Sequence, residues 1–131
     1  MATIKNKSTR TFGVEIEFTS SNRIGTIARQ LQELLNGTHI NVHHESYNHN
    51  TRDHWKLVTD SSCGYELVSP VLSGQQGMED TAAIVTALES LNTQVDRRCG
   101  IHVHVGIEDA TSLKVKNLIK ILSTFFFVLS S

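Results

Sequence analysis

The sequence predicts an α+β domain, a mostly antiparallel sheet with helices packed on one face. Two observations predict it. Phe12–Thr19 and Gly100–Ile107 alternate apolar with polar residues at the period of a half-buried strand, and the ranges 22–35 and 79–91 repeat apolar residues at helical spacing. The full order is strand, helix, three strands, helix, strand and helix, an α+β plan.

In the first strand Val14, Ile16 and Phe18 alternate with Glu15 and Glu17, so both carboxylates point one way. The first helix, 22–35, places Ile24, Ile27, Ala28, Leu31, Leu34 and Leu35 on one side, with Ser21 or Asn22 as its cap and Gly37 as its stop. Thr38–Tyr47 alternates again through Ile40 and Val42, and His54–Thr59 holds the strand formers Trp55, Leu57 and Val58. The polar stretch Asn48–Asp53 between them is a turn. Gly64–Ser69 is a strand ended by Pro70, and Gly74–Gly77 is a loop leading to a helix over 79–91. Ile101, Val103 and Val105 alternate with His102 and His104. Asp109, Thr111 or Ser112 caps a last helix that runs almost to the end, and residues 1–10 are polar and expected to be flexible. One domain spans 1–131, with no linker, repeat or low-complexity segment.

With 131 residues, 39% of them hydrophobic, the chain is large enough to build a core without disulfides or metal. Twelve basic and 13 acidic residues, with no long Lys/Arg run, give no overall attraction to nucleic acid. Cys63 and Cys99 lack zinc-knuckle spacing and read as reduced, intracellular thiols. The amino terminus has no apolar stretch of signal-peptide length, and the longest apolar run, Phe125–Leu129, is too short to span a bilayer. A cytoplasmic protein is expected.

Chemistry is concentrated on the polar parity of the strands. Glu15 with Glu17, and His102 with His104, form two convergent pairs, and Glu66 adds an acidic residue between Tyr65 and Leu67. Adjacent carboxylates repel unless a cation neutralises them, and a divalent metal is the simplest such cation. Carboxylate oxygens with one imidazole suit Mg²⁺ or Mn²⁺, whereas two imidazoles alone would favour Zn²⁺. The plainer reading of either pair is a solvated strand face.

Phe12-Gly13-Val14-Glu15-Ile16-Glu17-Phe18, Trp55 with Asp60-Ser61-Ser62, Glu66-Leu67-Val68-Ser69-Pro70 and Gly100-Ile101-His102-Val103-His104-Val105-Gly106 together resemble, in order and spacing, the amidoligase family. That family is related to glutamine synthetase and the glutamate–cysteine ligases. The resemblance covers nearly the whole chain and implies half of a glutamine-synthetase-like catalytic domain, a funnel where Mg²⁺ or Mn²⁺ holds ATP. A carboxylate is phosphorylated there and an amine attacks the acyl phosphate. By position, the resemblance makes Glu15, Glu17, Glu66 and His102 metal ligands, His104 a contact to nucleotide phosphate and Asp60 a substrate contact. The plainer reading of Asp60 is a turn residue. Family members usually run to about twice this length, so the chain corresponds to their N-terminal half. Lys114, Lys116 and Lys120 read as the exposed flank of the last helix and do not replace the missing basic residues.

A second reading keeps the fold without the reaction: a binding module such as a phage or mobile-element inhibitor of a host defence nuclease, of anti-CRISPR type. A third, metal-assisted phosphodiester cleavage, lacks a basic surface. The last helix bears on partners. Leu118, Ile121, Leu122, Phe125, Phe126, Phe127 and Leu129 make it apolar on nearly every side, more than one stripe needs, so a homodimer or protein partner is expected to cover it.

Overall fold

Strand β1 (Thr11–Ser20) is the centre of the sheet because it is paired along both edges. The computed structural model describes residues 9–59 and 63–106. Within them the chain continues through α1 (Ile24–Leu34), β2 (Val42–His44), β3 (Trp55–Thr59), β4 (Tyr65–Val68), β5 (Leu72–Ser73), α2 (Gly74–Glu89), β6 (Thr93–Gln94) and β7 (Ile101–Val105). Glu15 is opposed by Val68 of β4 on one edge and by His102 of β7 on the other, so these two strands flank β1. Among the described residues the sheet has seven strands and is antiparallel except for the parallel β2–β3 pair. This is the α+β class expected.

Alternation fixes which side each residue takes. Phe12, Val14, Ile16 and Phe18 of β1 join Trp55 and Leu57 of β3 and Leu67 of β4 in one core with Ile27, Ala28 and Leu31 of α1 and Met78, Ile84, Ala87 and Leu88 of α2. Each large side chain buried this completely contributes roughly 1.5–3 kcal/mol. Both helices therefore cover the same face of the sheet, and the other parity of β1, β4 and β7 is left for polar residues. No helix among the described residues is long and apolar enough to cross a membrane.

Several expectations need correction. Helix α1 starts after Arg23, which makes no side-chain cap bond, so neither Ser21 nor Asn22 caps it. Gly37, with φ of +86°, turns the chain after the helix as predicted. Strand pairing shortens the stretch 38–47 to Val42–His44, the residues in register with Trp55, Lys56 and Leu57 of β3. The glycines before 79 are helical rather than a loop: α2 begins at Gly74. Gly77 is there for space, since a Cβ would come within 2.9 Å of Leu72 Cβ and 3.0 Å of the Phe12 ring.

Cys63 and Cys99 are joined in a disulfide, with 5.1 Å between their Cα atoms, where the sequence predicts reduced thiols. Spacing along the chain could not reveal this, because the two are 36 residues apart. Pairing does. Phe18 opposes Tyr65 and Ile16 opposes Ile101, so the residues leading into β4 and β7 meet at the same end of β1. Residues 1–8, including most of the stretch expected to be flexible, and the last helix lie outside the described residues.

Candidate functional site

On the face turned away from the helices, Glu17 directly opposes Glu66, and Glu15 directly opposes His102. These pairings follow from the alternation that buries Ile16 between the two glutamates of β1 and Leu67 beside Glu66. Glu17 is only 9% exposed, and its carboxylate makes no hydrogen bond or ion pair among the described residues. A carboxylate that is nine-tenths buried and faces another carboxylate carries both a desolvation and a repulsion cost.

Glu15 is differently placed. Its Oε2 lies 3.4 Å from His102 Nδ1 and its Oε1 lies 3.3 Å from His104 Nε2, so two imidazoles bracket one carboxylate. His102 Nε2 and Glu17 Oε2 both approach Gly100, each 3.6 Å from the point that a Cβ there would occupy. Glu15, Glu17, Glu66 and His102 share this face. Among the described residues, Cys63, Asp96 and Cys99 are the three whose ligand atoms all lie within 4.8 Å.

A groove of about 320 Å³ adjoins the carboxylates at the Gly13 end of β1, with Glu15, Thr51, Ser69, Val71 and His104 on its walls. Its floor is fixed by Ser69. Pro70 cannot continue the ladder, and the buried Ser69 hydroxyl takes over, accepting from Val14 N–H at 2.9 Å and donating to the Pro70 carbonyl at 2.7 Å. Nearby, Arg10 donates from Nη1 to the Gly106 carbonyl at 2.7 Å.

The segment 45–54 stands over β3 on this side because Lys56 holds it. Lys56 is 3% exposed, on the parity of Val58 and Glu66, and its Nζ donates to Asn48 O at 2.8 Å, Asn48 Oδ1 at 2.9 Å and Asn50 O at 2.7 Å. The same segment is braced by Glu45, whose Oε2 meets His54 Nε2 at 2.6 Å while its Oε1 accepts from Arg52 Nε at 2.9 Å. The hydrogen bond with His54, then those of Arg52 and Asn48, hold the Glu45 carboxyl down at about 2. The His54 ring also stacks on His43, with 4.1 Å between centroids.

Glu15, Glu17, Glu66, His102 and His104 are thus brought to one face, whereas Asp60 lies outside the described residues, as do residues 118–129 with their proposed partner surface. Sequence reading missed Lys56, Ser69 and the Cys63–Asp96–Cys99 group. A lysine between Trp55 and Leu57, on the parity opposite the core, was the available signal for the first. Ser69 stood in the Glu66–Pro70 motif without a role of its own, and the cysteine group depends on contacts between distant segments.

A family model described as "Putative amidoligase enzyme" matches residues 8–129. The chain matches no curated protein and no solved structure.

Proposed function

We propose, since the chain belongs to the amidoligase family, that the face bearing Glu15, Glu17 and Glu66 is the divalent-metal site of an ATP-dependent ligase joining a carboxylate to an amine. The observation that carries this reading is Glu17, a carboxylate nine-tenths buried, directly opposite Glu66 and without a basic partner among the described residues. A buried carboxylate placed as Glu17 is becomes favourable with a cation beside it.

The donor set fits Mg²⁺ or Mn²⁺, being carboxylate oxygen with one imidazole and no sulfur. Glu17 and Glu66 would hold the ion across the β1–β4 pair, Glu15 from the next position along β1, and His102 from β7. When bound, the metal supplies positive charge between these carboxylates and the phosphate oxygens of ATP, which phosphoryl transfer to a carboxylate requires. His104 stands at the groove beside Glu15, and would donate to a nucleotide phosphate oxygen from a ring nitrogen that carries a proton. The apolar walls given by Val68, Val71 and Val105 keep part of the groove from hydrating the reacting acyl group. Asp60 is the proposed contact to the substrate amine.

The test is Mn²⁺ binding, read from paramagnetic broadening, by the wild type and by Glu17→Ala, combined with ADP release from Mg-ATP over a panel of carboxylates and amines. Equal Mn²⁺ binding by both proteins, or no ADP release across the panel, overturns the reading.

A further inference from the structure

Cys63, Asp96 and Cys99 meet at the end of the sheet from which β4 and β7 set out, and their ligand atoms all lie within 4.8 Å of one another. The group is assembled from two distant segments by the pairing of both strands with β1. Cys63 is 5% exposed. Asp96 is held in place by Arg98, whose Nη2 donates to Oδ2 at 2.8 Å and whose backbone N–H donates to Oδ1 at 2.8 Å. The Oδ1 atom also lies 3.6 Å from Cys99 Sγ. A disulfide needs no carboxylate at its side, and two sulfurs with one anchored carboxylate are three donors for a soft divalent ion.

We propose that this pair is a redox-controlled soft-metal site: as the dithiol, Cys63 and Cys99 bind Zn²⁺ together with Asp96, and as the disulfide they do not. The inference stands on these three residues and is independent of the ligase reading. In the reducing step a dithiol gives two electrons and its own two protons and becomes a disulfide, or a phosphine gives two electrons and takes the oxygen of a water molecule to become its oxide, the two protons of that water completing the thiols. Zn²⁺ then displaces both thiol protons, forming two metal–sulfur bonds, and the Asp96 carboxylate is the third donor. Three protein ligands leave the fourth position of a tetrahedral ion to water. Thiolates select Zn²⁺ over the Mg²⁺ or Mn²⁺ suited to the carboxylate face. In either state the leading ends of β4 and β7, which carry Glu66 and His102, stay tied together.

The experiment uses the full chain reduced with a phosphine, which adds no competing thiol, and Co²⁺ as the optical probe for Zn²⁺. The reduced wild type and a Glu15→Ala, Glu17→Ala double variant are both expected to show thiolate-to-cobalt charge-transfer absorption that added Zn²⁺ removes. The oxidised protein and Cys99→Ser are expected to lack it, and Asp96→Asn to bind roughly tenfold more weakly or worse, since loss of even an outer partner of a metal ligand costs that much. If reduction unfolds the chain, Zn²⁺ is expected to restore its circular dichroism. The proposal is overturned by a folded dithiol protein with no sulfur charge-transfer band, by a band that Cys99→Ser retains, or by a reduced chain that Zn²⁺ does not refold.

Discussion

Glu17 and Glu66 face each other across β1 and β4, with Glu17 nine-tenths buried. Like charges directly opposed across a strand pair cost up to about 1 kcal/mol, so Glu17→Gln is expected to raise the stability of the metal-free protein by about that much. The same change is expected to weaken Mn²⁺ binding. Urea unfolding with and without Mn²⁺ reads both. A variant less stable than wild type in the absence of metal would show that Glu17 is already neutralised.

Lys56 is expected to organise the segment over β3. Lys56→Met keeps most of the apolar stem and removes the three hydrogen bonds to Asn48 and Asn50. Leaving these acceptors without their charged donor is expected to cost about 1–3 kcal/mol. Hydrogen exchange of residues 46–54 is expected to quicken. Unchanged protection there would mean that Glu45 and His54 suffice to hold the segment.

Acid is expected to act through Glu45. Its carboxyl is depressed from 4.5 to about 2 in the folded protein, chiefly by the hydrogen bond with His54. A depressed carboxyl contributes stability that is fully present above its unfolded value and is lost as pH falls through the folded one. The unfolding midpoint should therefore drop between pH 4.5 and about 2, and Glu45→Gln should flatten that slope. An identical slope in the variant would assign the acid sensitivity elsewhere.

Gly77→Ala sets two effects against each other. Alanine gains about 1 kcal/mol of helix propensity over glycine, but its Cβ would press on Leu72 Cβ at 2.9 Å and on the Phe12 ring at 3.0 Å. Overpacking of this kind costs about 1–3 kcal/mol, so a net loss of stability is expected. A thermal midpoint above that of the wild type would mean that α2 shifts freely away from β1.

By itself the sequence determined the parity of the chemistry-bearing strands. Glu15 and Glu17, like His102 and His104, had to share a face because Ile16 and Val103 between them were apolar, and a strand repeats every two residues. It also determined the α+β class and the family, since motif order and helical spacing are local properties of the chain. It misplaced the start of α2, where Gly74 and Gly77 read as a loop, because glycine's use for close packing against Phe12 is visible only from the neighbour's side. Only the tertiary structure decided which strands meet. Strand pairing between distant segments set Glu17 against Glu66 and Glu15 against His102, lodged Lys56 under the segment 45–54, and brought Cys63 to Cys99 and Asp96. The physical reason is that alternation fixes the face of each side chain, whereas register and edge order come from fitting Phe12, Val14, Ile16 and Leu67 into one core with the helices.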